Sequence, residues 1–203
     1  MQRLTVSALA VATPAVLLLS ACGEHRAPTE VSRAGSVAAA LSREDAGPEH
    51  AGGIVAHDSC DPETFDAALQ DEDACVKPFR TTFQEFIAEL TATKTVRDWR
   101  FTPEQLTARL GVDLLGNNVG GEEHTFTPVK QFGGGIVPPL NNLSGNTVVA
   151  EECKNLDEDD MVPSGGKYLI EAEELAEVVD GSGIARVQCC IHPWMRTEVR
   201  MQR

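Results

Sequence analysis

The chain has 203 residues, 42% of them hydrophobic and 24% charged, a composition that supports a real core and excludes a disordered polymer. Thirty-one acidic side chains against 17 basic ones give a net charge of −14, which excludes a nucleic-acid groove and favours cationic partners. Aromatics make up only 5%, and short apolar runs separated by Gly, Pro and Asn clusters read as strands joined by turns.

Residues 1–21, MQRLTVSALAVATPAVLLLSA, join a basic residue at Arg3 to an apolar stretch and small residues ahead of Cys22. This is the layout of a secretory signal, too short and interrupted for a membrane span. Residues 19–22, LSAC, resemble the bacterial lipobox, in which the cysteine is acylated and begins the mature protein. The expectation is export and lipid anchoring at Cys22, on the periplasmic or cell-surface face of a bacterial membrane; an ordinary signal peptide cleaved near Ala21 is the alternative. Arg3 is the only charge removed with the signal, so the exported chain has 31 acids against 16 bases, a net of −15.

Residues 22–58 are rich in Ala, Gly, Ser, Pro and charge and read as a flexible tether, with one short helix possible near Val37 to Leu41. A coil of about 36 residues spans roughly 30–36 Å. His25, His50 and His57 fall in this stretch and are expected to be solvated linker residues.

Residues 59–97 read as a small helical element. Phe83, Phe86, Ile87 and Leu90 recur at helical spacing on one face, expected to pack on the following sheet, and Thr82 with Glu85 forms a capping box. Export permits disulfides, and pairing Cys60 with Cys75 would staple the element.

From residue 98 to 203 the pattern is all-β. The stretches WRFTP, EQLTARL, HTFTPV, KYLIEAEE, IARVQCC and TEVRMQ are expected strands of an antiparallel sandwich. Between the last two lies QCCIHPWMR, residues 188–196, with Cys189, His192 and Met195 at equal steps of three. Pro193 lacks an N–H and pushes His192 towards extended backbone, so the steps describe a loop folded round a point rather than a helical face.

A thiolate, an imidazole and a thioether converging on one point, completed by a second imidazole, make the ligand set of a type 1 copper site. Of five histidines in the chain, three lie in the tether and one is His192, which leaves His124 in GGEEHTFTPV. Neighbouring strand residues face opposite ways, so one of Cys189 and Cys190 looks inward. Two residues separate Cys189 from His192 and only Ile191 separates Cys190 from it, so Cys189 is the better ligand. Cys190 then faces outward, where a disulfide to Cys153 would account for both; a buried free thiol is the alternative.

CCIHPWMR is similar to the copper loop of amicyanin, Cys-x-x-His-Pro-Phe-Met-Arg, and residues 98–203 resemble a small blue-copper protein of the plastocyanin and azurin superfamily, the cupredoxins. The resemblance implies a Greek-key β-sandwich holding one type 1 copper ion with His124, Cys189, His192 and Met195. Thr125 and Phe126 follow the upstream histidine; where the family often has Asn to brace the sulfur, this chain has Thr125. The resemblance also implies an electron port at the exposed edge of His192, collared by Pro193 and Trp194. It implies an electron carrier rather than an enzyme, one that docks a redox partner with a basic surface and has no nucleic-acid role. The segment from Lys130 to Lys167 is long and should form an extra loop near the site. A copper-buffering or delivery protein of the cell envelope is the alternative function, and a structural zinc site with a fourth ligand is the third.

Overall fold

The computed structural model of the chain describes residues 52–203. The expected signal segment, Cys22, His25, His50 and the short helix near Val37 to Leu41 lie outside the described residues.

Two four-stranded sheets form the frame. The first has the order β2 (Arg100–Thr102), β1 (Gly53–His57), β4 (Leu114–Asn118) and β6 (Lys167–Ile170). The second has the order β3 (Gln105–Arg109), β8 (Arg196–Gln202), β7 (Ile184–Gln188) and β5 (Thr127–Val129). Ile54, Ala56, Leu114 and Ile170 of the first sheet share one core cluster with Ala185, Val187 and Val199 of the second, the inward half of the strand alternation on each side. The result is a β-sandwich, with helices α1 (Pro62–Leu69), α2 (Phe83–Thr93), α3 (Pro138–Ser144) and α4 (Ala172–Val178) set between strands.

Three expectations are corrected here. Residues 53–57, expected within the tether, form β1, which pairs with β2 on one edge and β4 on the other. Residues 59–97 do not stand as a separate element, because Phe65, Phe86 and Leu90 belong to the same core cluster as the sheets. The sheets are mixed, not antiparallel: β1 runs parallel to β4, and β3 runs parallel to β8. These pairs join strands distant in sequence, whose direction is not imposed by a hairpin; β7 and β8, joined by the QCCIHPWMR loop, are antiparallel.

Local chemistry explains the elements that position the site. In α2 the Thr82 hydroxyl accepts from the Glu85 amide, and the Glu85 carboxylate accepts from the Thr82 amide, completing the capping box. Strand β4 has poor strand composition, LLGNN, but Gly116 lies against the Phe126 ring where any Cβ would overlap it. Strand β6 stops at Ile170 because the expected strand residues after it turn into α4, whose Leu175 and Val178 are buried.

Both expected disulfides form. Cys60–Cys75 closes a separation of 15 residues and Cys153–Cys190 one of 37, worth about 3 and about 4 kcal/mol in the chain-entropy model. Residues 130–167 are not a bare loop: α3 lies within them, and the Ile136 amide donates to the Cys190 carbonyl over 2.7 Å, packing this segment against the cysteine pair.

Candidate metal centre

The loop after β7 closes on itself: the Cys189 amide donates to the Met195 carbonyl at 3.0 Å, and the Met195 amide donates to the His192 carbonyl at 2.9 Å. Cys189 points inward and is the one free cysteine among the described residues, fully buried; Cys190 points the other way, into its disulfide. Met195 is likewise fully buried. His124 is held by a two-way backbone bridge with Val162, at 3.1 and 2.8 Å.

These supports bring His124, Cys189 and His192 together. The Cys189 Sγ lies 3.6 Å from His124 Nδ1 and 3.9 Å from His192 Nδ1. Thr125 and His192 each direct a backbone N–H at the same sulfur, at 3.5 and 3.4 Å. The Thr125 hydroxyl does not reach the sulfur; it accepts from the Cys190 amide at 2.8 Å and so ties the His124 segment to the cysteine loop. Phe126 supports the site from the core, stacked on Phe101 with ring centroids 5.1 Å apart.

The donor set fits a metal ion. Sulfur and nitrogen bonded to one ion at roughly 2.0–2.3 Å, with angles between tetrahedral and trigonal, stand roughly 3.6–3.8 Å apart, and the two separations here are 3.6 and 3.9 Å. Both imidazoles present Nδ1 to the sulfur while their Nε2 atoms face carboxylates. His124 Nε2 is 2.9 Å from Asp58 Oδ2, and His192 Nε2 is 3.5 Å from Glu122 Oε2. Glu122 also accepts from the Trp99 indole N–H. A second cluster, Asp58, Cys60 and Glu122, has no ligand sulfur to offer, because Cys60 is in a disulfide.

Charge in this pocket is set by pairing. Burial alone would push the Cys189 thiol up, but hydrogen bonds and electrostatic attraction from His124 and His192 outweigh it and hold it well below an ordinary thiol. Burial disfavours the His124 cation, yet the Asp58 carboxylate and the Cys189 thiolate raise its pKa to about 10. For Asp58, burial opposes the charge, and His124 with the Gly121 and Glu122 amides overcomes it, leaving the carboxyl below its usual value. Glu122 goes the other way: burial raises it more than His192 lowers it. The Cys189 sulfur is thus favoured as a thiolate paired with a protonated His124, and a metal ion bound by both would displace the His124 Nδ1 proton.

The exposed His192 edge expected at the electron port is not present. His192 is 2% exposed and Pro193 is buried. The Phe86 ring of α2 stands edge-on to His192, with centroids 6.3 Å apart, so the apolar face of α2 covers the site end of the sandwich instead of lying only on a sheet. Trp194 is half-buried, 5.5 Å from the His192 ring, with its indole N–H donating to the Trp99 carbonyl at 3.1 Å. It lines an open groove with Arg97, Arg100 and Glu104. Four contributors escaped sequence reasoning: Asp58, Phe86, Trp99 and Glu122. Only Glu122 carried a signal, its place two residues before His124.

No protein-family model matches the chain, and no curated protein matches it in sequence. Among solved structures it is similar to a purple cupredoxin from Nitrosopumilus maritimus, at 13% identity over 53% of this chain and 86% of that one, with a TM-score of 0.34. A copper(I) form of an amicyanin variant matches at 14% identity over 51% of this chain and 73% of that one, TM-score 0.30. Oxidised plastocyanin from Dryopteris crassirhizoma matches at 16% identity over 51% and 89%, TM-score 0.31.

Proposed function

We propose that the chain is an exported, lipid-anchored electron carrier of the type 1 copper class, built on a cupredoxin-like Greek-key sandwich. One copper ion would be held by His124, Cys189, His192 and Met195. The observation that carries this reading is the buried Cys189 sulfur flanked by two Nδ1 atoms at 3.6 and 3.9 Å. Copper in a set of one thiolate, two imidazoles and a thioether supplies reversible one-electron chemistry at a potential tuned by the axial ligand and the bonds to sulfur.

The chain's own residues suit that task. Two amides fix the thiolate, a carboxylate faces each imidazole Nε2, and the Cys189–Met195 backbone bond closes the loop, so the donors keep their places when the net charge changes. The buried donors leave little access for a substrate at the ion, which favours a carrier over an enzyme. The same burial beneath Phe86 opposes the rapid metal exchange that a buffering or delivery protein needs. Electrons would pass by way of Trp194, the half-buried neighbour of His192. The redox partner we infer carries a basic docking surface, in keeping with the net charge of −14. The LSAC motif supports anchoring through Cys22 at the outer face of a bacterial membrane.

A visible absorption spectrum of protein purified with copper tests the reading. An intense thiolate-to-copper band that disappears on reduction is the expected result. A metal-loaded protein that stays colourless after chemical oxidation would instead mark the centre as structural zinc.

A further inference from the structure

We propose that Asp58 is a positioning residue of the metal centre: its carboxylate fixes His124 with the proton on Nε2 and Nδ1 free for the metal, and its negative charge favours the oxidised ion. The inference rests on the copper reading above, and it adds a residue that lies outside both the ligand loop and the His124 segment.

Asp58 directly follows β1, a strand hydrogen-bonded on both edges, so the sandwich frame sets where its carboxylate stands. Its side chain and that of His124 are both wholly shielded from solvent. Each hydrogen bond the carboxylate makes, it makes as acceptor: from the Gly121 amide at 2.8 Å, the Glu122 amide at 3.1 Å and, at the long limit of 3.5 Å, the Cys60 amide. With backbone donors around it, the 2.9 Å contact to His124 Nε2 is satisfied when the imidazole is the donor. Gly120 allows this approach, because a Cβ there would collide with Asp58 Oδ2. A histidine whose Nε2–H is taken this way presents Nδ1 to Cys189, the orientation seen, and Nδ1 is the atom left to a metal ion.

The two imidazoles are not equivalent. Glu122 stands 3.5 Å from His192 Nε2, too far for a good hydrogen bond, and the same oxygen accepts from Trp99. Only His124 has a dedicated, close carboxylate. A fixed unit charge one imidazole away from the ion, in a site closed to water, stabilises the more positive oxidation state.

The test compares copper-loaded wild type with Asp58→Asn, which keeps the shape and removes the charge. The expected variant retains the visible band and shifts the oxidised-to-reduced ratio at a fixed external potential at least tenfold towards the reduced form, about 59 mV for a one-electron couple. A shift of less than twofold overturns the proposal. Nitrogen-15 NMR of the copper(I)-loaded wild type provides a second measurement, and it decides the matter should the variant fail to fold. His124 should show a slowly exchanging proton on Nε2 and none on Nδ1; the reverse pattern overturns the proposal. If wild type takes up no copper at Cys189, the copper reading fails by itself, and the same NMR measurement on zinc-loaded protein still decides whether Asp58 holds the His124 proton.

Discussion

Phe86 stands over His192 edge to face, with the ring planes at 88° and the centroids 6.3 Å apart. A helix side chain thus closes the side of the proposed metal centre from which an exposed histidine edge would exchange electrons. Phe86→Ala should open that edge. We expect reduction by a small inorganic reagent to quicken several-fold with the copper band retained, at a stability cost of about 3–5 kcal/mol for a truncated buried phenylalanine. Stopped-flow reduction and denaturant unfolding measure the two effects, and an unchanged reduction rate would show that Phe86 is packing alone.

Trp194 is the half-buried aromatic that links the His192 ring to the groove lined by Arg97, Arg100 and Glu104. Trp194→Ala should slow electron exchange with a protein partner at least tenfold while leaving the copper band nearly unchanged. A variant that loses stability yet keeps its partner kinetics, measured well below its melting temperature, would place electron exit elsewhere.

The adjacent cysteines face opposite ways, and their substitutions should separate accordingly. Cys189→Ser should abolish the coloured copper species. Cys153→Ser, which opens the 37-residue disulfide loop, should keep the colour and lower unfolding free energy by about 4 kcal/mol. Spectra and denaturant midpoints of the two variants check this, and a Cys189→Ser variant that keeps its colour and loses stability would reverse the facing of Cys189 and Cys190.

Acid stability should depend on Asp180, in the turn between α4 and β7. The Ser182 hydroxyl, Arg186 and the Ser182 and Ile184 amides hold its pKa well below the ordinary carboxylate value. A carboxylate depressed in the folded state stabilises above its unfolded pKa, about 3.9, and that contribution is lost as pH falls through the lower folded value. Asp180→Asn should therefore be less stable than wild type at about pH 7, with the gap narrowing once pH drops below about 4. Denaturant midpoints across that range test the sign; a gap that widens in acid would contradict it.

Cys22→Ser should release the protein from the membrane fraction or block its processing, because LSAC then has no thiol to acylate. Cell fractionation with an antibody to the chain gives the answer, and wild-type protein already free of membranes would remove the anchor from the proposal.

Within QCCIHPWMR the sequence by itself determined a great deal: strand alternation separated Cys189 from Cys190, Pro193 ruled out a helix, and the scarcity of histidines pointed to His124. The capping box of Thr82 and Glu85 was equally legible, since its bonds span three residues. Such features depend on near neighbours and on backbone geometry that short segments carry with them. Tertiary structure alone decided the remainder. GIVAH looks like linker sequence and becomes β1 only because β2 and β4 hydrogen-bond to both its edges. Asp58 looks like one acid among thirty-one, and is distinguished only by the Gly121 and Glu122 amides and the His124 ring, more than sixty residues further along the chain, closing round it. Phe86 was readable as core but not as the cover of His192, because helical spacing identifies which face is apolar and says nothing about what that face meets. A partner for a buried carboxylate or an aromatic ring is supplied by segments far apart in the chain, and their meeting is fixed when the two sheets and α2 close on one shared core.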